Sequence, residues 1–229
     1  MKNPAKRQFK DAIYGQLARI GKSLASGPRL EILDVLDQGP RTVESLAGEI
    51  GRSVANTSQH LQILRRARMV DSEREGVSIV YRIADDGVAG LVRSLRKLAE
   101  SRLLEIEQIS RSFFEQHTAM EPIDREHLVR RVRSGEVTVL DVRPQVEYST
   151  AHIAGAISVP LEHLETRLAE LPKNKEIVAY CRGPYCVMAV EAVERLLQAG
   201  FKAAHLDEGV SDWRARGLPV ESAPAGESL

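Results

Sequence analysis

Cysteine is almost missing from this chain: its 229 residues hold two, Cys181 and Cys186, and none before them. So few thiols build no disulfide framework, and two of them without a histidine nearby make a poor zinc site. No resident metal is expected, and reactive-thiol chemistry is left as the leading reading. Long apolar runs are missing as well. No stretch approaches the roughly 20 apolar residues that span a bilayer. The opening Met1-Lys2-Asn3-Pro4, with charges through Lys10, lacks the apolar stretch of a signal peptide. A cytoplasmic protein with no membrane partner is expected. Missing, finally, is any net charge: 32 Lys and Arg balance 32 Asp and Glu. The balance hides a division, because residues 1–118 carry 19 basic and 15 acidic side chains (+4) and residues 119–229 carry 13 and 17 (−4). A split of this size is either chance or the mark of a first half that meets a polyanion.

What is present is ordinary for a globular protein, with 43% hydrophobic and 28% charged residues, and the length suits two small domains. Phe9, Ile13, Leu17, Ile20 and Leu24 recur at three- and four-residue steps and predict an amphipathic helix over residues 5–24. Pro28 opens a mostly buried helix that Gly39-Pro40 ends. Thr42 caps a short helix, and Ser53, after Gly51, caps another that runs to about residue 68. Residues 69–71 and 77–83 then bracket a hairpin turning at Gly76. One long helix is predicted over residues 85–117, and its apolar stripe faces either a second copy of the chain or the second domain. Past Glu121-Pro122, strands (137–142, 177–180, 205–206) alternate with helices (161–168, 185–199), the pattern of a small parallel α/β sheet. The expected domains are 1–118 and 124–221, with a linker at 119–123 and a flexible tail at 222–229.

Three helices followed by a hairpin make a winged helix. In the helix after Gly51, Val54, Leu61 and Leu64 are expected to face the core. Ser53, Asn56, Thr57, Gln59 and His60 are expected to face outward, where Asn, Gln and His read base edges and Ser and Thr serve phosphates or bases. Arg52, Arg65 and Arg66 flank that face and suit phosphates, and Arg74 in the hairpin suits the neighbouring minor groove. Arg29-Leu30-Glu31-Ile32-Leu33 and the run Thr57-Ser58-Gln59-His60-Leu61-Gln62-Ile63-Leu64-Arg65-Arg66-Ala67 resemble the ArsR/SmtB family of bacterial repressors, over about residues 15–110. The resemblance implies a mainly α winged helix-turn-helix domain that binds a double-stranded DNA operator as a homodimer. It also implies two metal sites. One uses cysteines in the helix before the recognition helix, but here that helix reads Thr42-Val43-Glu44-Ser45-Leu46-Ala47, which removes soft-metal sensing at that place. The other uses Asp, His and Glu ligands between paired C-terminal helices, where this chain offers only His117. The input is therefore expected from the second half.

In Val178-Ala179-Tyr180-Cys181-Arg182-Gly183-Pro184-Tyr185-Cys186-Val187-Met188-Ala189 a buried strand ends, a tight loop follows and a helix begins. A cysteine at the head of such a loop faces unpaired backbone N–H groups and the positive end of the helix. Both are expected to lower the Cys181 pKa and to cradle a persulfide anion, with Arg182 adding charge. This loop resembles that of the rhodanese family of sulfurtransferases. Asp141-Val142-Arg143, Glu147-Tyr148, Ala151-His152-Ile153-Ala154-Gly155, Glu208-Gly209-Val210-Ser211-Asp212-Trp213 and Gly217-Leu218-Pro219-Val220 extend the resemblance over about residues 123–221. It implies a rhodanese-like parallel α/β sheet, a persulfide carried on Cys181, and Asp141 and Arg143 near the active loop in a structural or a catalytic role. Two departures stand out. Related phosphatases and arsenate reductases place an Arg six positions after the cysteine, where this chain has Val187. Single-domain rhodaneses often place a basic residue five positions after it, where this chain has Cys186. Cys186 then either attacks a persulfide on Cys181, releasing sulfide, or packs inward as a small helix residue.

Two functions follow. In the first, a DNA-binding regulator, a repressor by resemblance, senses reactive sulfur through Cys181, taking it from a small sulfur donor. In the second, an active sulfurtransferase passes sulfur to a thiol acceptor while its DNA-binding half acts independently. Neither calls for a cofactor beyond the covalent persulfide.

Overall fold

Ser26, Thr42 and Ser53 each stand directly before a helix, and the first half is punctuated by them. α1 (Pro4–Leu24) gives way at Ser26 to α2 (Gly27–Leu36), which has Pro28 in its first turn. After the two-residue β1 (Arg41–Thr42), the Thr42 hydroxyl accepts the Ser45 N–H at 3.3 Å and starts α3 (Val43–Glu49). The Ser53 hydroxyl accepts the Asn56 N–H, also at 3.3 Å, and starts α4 (Val54–Arg66). β2 (Val70–Glu75) and β3 (Ser78–Ile83) form the expected hairpin around Gly76, whose φ of +63° suits the turn. β1 adds to β3, so the antiparallel sheet runs β1-β3-β2. The computed structural model describes residues 4–117 and 125–222. The expected linker and all but one residue of the expected tail lie outside them.

The described residues fall into two compact units divided between Ser94 and Leu95. The division lies inside α5 (Asp86–Arg102). The first unit buries Ile32, Leu33, Leu36, Leu46, Leu61, Leu64 and Val70, drawn from α2, α3, α4 and β2, as one core. Each such side chain contributes about 1.5–3 kcal/mol when fully buried, so the three short helices are held chiefly by this shared interior. The single helix expected over 85–117 is interrupted. α6 (Leu104–His117) starts afresh after Leu103, because the Ile106 N–H bonds the Leu103 carbonyl, a three-residue step that tightens the chain. The side chain of His117 lies outside the described residues.

The second unit carries α7 (Arg125–Ser134), β4 (Val137–Asp141), α8 (Gln145–Thr150), β5 (His152–Ile153) and β6 (Ile157–Ser158). After them come α9 (Leu164–Arg167) between two 3₁₀ turns, β7 (Glu176–Tyr180), α10 (Met188–Gln198), β8 (Ala203–Leu206), α11 (Val210–Ala215) and β9 (Val220–Glu221). The four-stranded sheet is parallel, in the order β6-β4-β7-β8. Side chains alternate across it with the period of two that extended chain imposes. Ile177, Ala179 and then Cys181 join Leu140, Val142 and the α10 residues Ala192, Val193 and Leu196 on one face. Val178 and Tyr180 join Val137, Val139, Leu206 and Trp213 on the other. Cys181 is thus set by the strand before it. A small ladder of β5 with β9 sits beside this sheet.

Candidate functional site

Cys181 follows the last residue of β7 and is 1% exposed. Gly183, at φ +153°, lets the loop double back, and the Cys186 N–H donates to the Gly183 carbonyl at 3.1 Å. The Cys181 thiol donates to the Cys186 carbonyl at 3.2 Å. Backbone amides of Gly183 and Ala189 favour a charge on the Cys181 sulfur, and those of Arg182 and Met188 favour one on the Cys186 sulfur. The cradle expected from the sequence is therefore present, but two sulfurs share it.

Sharing reverses the expected acidity. Burial pushes the Cys181 thiol well above its ordinary value, and its bond to Cys186 and the charge there push the same way. Cys186 is pulled down to about 7, first by the hydrogen bond from the Cys181 thiol, then by the Arg182 and Met188 amides and the Arg182 charge, against the opposing effect of burial. The low pKa expected for Cys181 is accordingly not found there; it belongs to Cys186. Cys186 also lies outside the helix, since α10 begins at Met188 and not at residue 185.

Arg182 is engaged in an ion pair. Its guanidinium bonds the fully buried Glu147 carboxylate at 2.6 and 3.1 Å. Asp141 and Arg143 form a second buried pair at 2.6–3.2 Å, and Arg143 also donates to the Ala151 carbonyl at 2.7 Å. The Tyr180 hydroxyl donates to Asp141 and accepts the Ile153 N–H at 3.1 Å. These bonds tie the ends of β4 and β7 to β5, so the geometry supports a framework role for Asp141 and Arg143. Gly209 presses against the cysteine loop: a Cβ there would fall 2.1 Å from the Arg182 carbonyl oxygen. In the same unit Asp212 pairs with Arg96, and the Tyr185 hydroxyl donates to Glu100 at 2.8 Å.

On α4 the expected outward face is partly turned in. Thr57 is fully buried, and its hydroxyl donates to the Ser53 carbonyl at 3.0 Å, so it belongs to the core. Ser53 is exposed and engaged in capping. Asn56 and His60 are half-buried, and Asn56 Oδ1 and His60 Nδ1 are buried without a hydrogen-bond partner among the described residues. Burial and the charges of Arg29 and Arg52 lower the His60 pKa and keep the ring neutral at pH 7. Arg52, Gln59, Arg65 and Arg66 are exposed as expected, and so is Arg74 in the wing. Val54, expected in the core, is 44% exposed. Ala55 and Gln62 also face outward with Gln59 and Arg66, a face the spacing 55-59-62-66 could have revealed. Arg68 was missed as well. It is exposed just past α4 and is the one non-glycine residue among those described with positive φ, at +59°.

Comparison with known proteins matches the two halves separately. The family described as bacterial regulatory protein, arsR family, matches residues 26–72, and the rhodanese-like domain matches residues 124–216. HTH-type transcriptional regulator Rv0324 of Mycobacterium tuberculosis is 44% identical over 95% of this chain and 96% of its own length. The chain belongs to the ArsR-type transcriptional regulators that carry a rhodanese-like domain. A sulfurtransferase of Allochromatium vinosum is 32% identical to this regulator over 45% of the chain and 96% of its own length. Among solved structures, the homodimeric winged helix-turn-helix DNA-binding domain of Mb0332 from Mycobacterium bovis is 42% identical. It covers 41% of the regulator and 87% of that chain, with a TM-score of 0.40. The two family matches, with the helices and hairpin of the first half and the parallel sheet of the second, make the fold a winged helix-turn-helix DNA-binding domain joined to a rhodanese-like α/β domain. Among its described residues, no helix is long and apolar enough to cross a membrane.

Proposed function

We propose that the rhodanese-like domain is the input of this DNA-binding regulator, and that sulfane sulfur taken up on Cys181 changes operator affinity. The observation that carries the reading is the placing of Cys181 under the Gly183 and Ala189 amides at the head of α10, in a chain with no thiol before it. Cys181 Sγ gives up its proton to the Cys186 thiolate or to solvent as it attacks the sulfane sulfur of a persulfide or polysulfide donor. Its S–S bond breaks, the donor leaves as a thiolate and Cys181 keeps one sulfur as a persulfide. The output is a winged helix that offers Gln59, Arg52, Arg65 and Arg74 to double-stranded DNA. Phe9, Ile13, Tyr14 and Leu17 on α1, and Leu91, Leu95 and Leu98 on α5, are exposed. These apolar faces support pairing with a second copy of the chain.

Mass spectrometry of the full-length protein after polysulfide or thiosulfate, with sulfide alone as the control that lacks sulfane sulfur and operator binding measured on the same samples, tests the proposal. A sulfur-dependent mass change at Cys181, a gain of about 32 Da wherever the persulfide persists, is expected to track with affinity. An operator affinity that responds to polysulfide equally in Cys181→Ser and in the unsubstituted chain would overturn it.

The likeness to the Allochromatium vinosum sulfurtransferase favours a second reading, in which the domain turns over sulfur independently of DNA binding. That reading expects many turnovers from a sulfur donor to a thiol acceptor, with operator affinity indifferent to the state of Cys181.

A further inference from the structure

The cysteine loop contains a feature that a single sulfur carrier does not need. Cys181 and Cys186 are five positions apart, yet the loop folds so that the Cys181 thiol donates to the Cys186 carbonyl at 3.2 Å and the two side chains act on each other's acidity. The turn closed by the Cys186 N–H and the Gly183 carbonyl holds them there. Their exposure differs: Cys181 is sealed in the face that packs on α10, and Cys186 is half-buried at the edge of that core. Amides of Arg182 and Met188 surround the Cys186 sulfur, and the Arg182 charge lies near enough to favour an anion on it.

We infer that Cys186 is a resolving nucleophile, which converts a persulfide on Cys181 into a Cys181–Cys186 disulfide and releases sulfide. The inference rests on the persulfide reading for its starting state. In the step, the Cys186 thiolate attacks the Cys181 Sγ. A bond forms between the two side-chain sulfurs, the bond from Cys181 Sγ to the terminal sulfur breaks, and the electron pair leaves with that sulfur as hydrosulfide. The terminal sulfur is reduced from the sulfane to the sulfide level, and the two cysteines supply the electrons by becoming a disulfide. A thiol reductant of the dithiol class restores both thiols by exchange. The domain would then register a sulfur donor as a disulfide that outlasts the donor, and it would return the sulfur as sulfide instead of passing it to an acceptor.

Two supports are independent of acidity. The target sulfur already hydrogen-bonds the backbone of the attacking residue at 3.2 Å, so no rearrangement of β7 or α10 is required to bring the two residues together. Because Cys181 is 1% exposed, a large external thiol has a poor approach to its Sγ, whereas Cys186 is beside it.

The test uses the full-length protein, its Cys186→Ser and Cys181→Ser variants and one equivalent of an inorganic polysulfide. Samples are quenched with iodoacetamide for mass spectrometry, and free sulfide is measured alongside. The unsubstituted protein is expected to lose about 2 Da as an internal disulfide and to release about one sulfide per chain. Cys186→Ser is expected to hold the gain of about 32 Da on Cys181, with a persulfide lifetime longer by roughly ten-fold or more. Cys181→Ser is expected to give neither product. A stable persulfide of equal lifetime in the unsubstituted protein and in Cys186→Ser would overturn the resolving role and leave the persulfide reading standing. Absence of any gain on Cys181 in Cys186→Ser would overturn the persulfide reading itself, and the resolving role with it.

Discussion

At Cys186 a pKa near 7 places the thiol on the steep part of its titration at neutral pH. The thiolate is the reactive form, and persulfidation removes the Cys181 proton that does most to lower this pKa, so sulfide release limited by Cys186 is expected to rise with pH through and above neutrality. A stopped assay of sulfide against pH would show it, and a flat profile would remove Cys186 as the attacking group. Arg182 holds a different task. Its guanidinium pairs with the fully buried Glu147 carboxylate, and Arg182→Met would take this charged partner from it. A loss of about 3–5 kcal/mol is expected. The chain's single tryptophan, Trp213, is buried in the same unit, so its fluorescence during urea unfolding reports that loss. The sequence made Cys181 visible, because a cysteine between a buried strand and a helix start is a local pattern. It did not make the division of acidity visible, since burial, the partner thiol and the aim of each amide arise only when the loop is folded.

The elements follow the same division between local and distant causes. α2, α3 and α4 were legible because Pro28, Thr42 and Ser53 act within their own first turns. The two-residue strands β1, β5 and β9 were not, because Arg41 is paired by Tyr81 and His152 by Glu221, far along the chain. Thr57 was misplaced for a related reason: a polar residue in the recognition helix reads as outward until its hydroxyl finds the Ser53 carbonyl. The correction separates two kinds of variant on α4. Gln59→Ala is expected to cost about 1–3 kcal/mol of operator affinity if it meets a base, with the thermal midpoint unchanged. Arg65→Ala is expected to weaken binding to all sequences and to reduce the salt slope by about 1. Fluorescence anisotropy across a salt series distinguishes them. Beside the other domain's active loop, Gly209→Ala would drive a methyl group into the Arg182 carbonyl. Persulfide formation on Cys181 is expected to fall while operator binding by the reduced protein persists, and an unaltered adduct yield would show the loop to be more compliant than this contact implies.

For the whole molecule, the exposed side chains of α1 make the clearest claim about assembly. Replacing Phe9 and Leu17 by Glu is expected to convert a dimer to a monomer by light scattering and to weaken operator binding, since a monomer meets one half-site. A species of unchanged mass would place the pairing surface elsewhere. Two units were expected from the sequence, and the described residues divide at Ser94 and Leu95, earlier than the change in sequence pattern near Glu121-Pro122. The alternation along β7 has a consequence of its own. Cys181 is the next step of a strand whose side chains point by turns to the α10 face and to the Trp213 face. The strand therefore behaves as a reading frame. A one-residue deletion within 176–180 would rotate the sulfur to the opposite side of the sheet, away from its amides and from Cys186. Such a chain could keep every functional side chain and still be unreadable to sulfur, so the length of this strand matters as much to the chemistry as the identity of the cysteine it delivers.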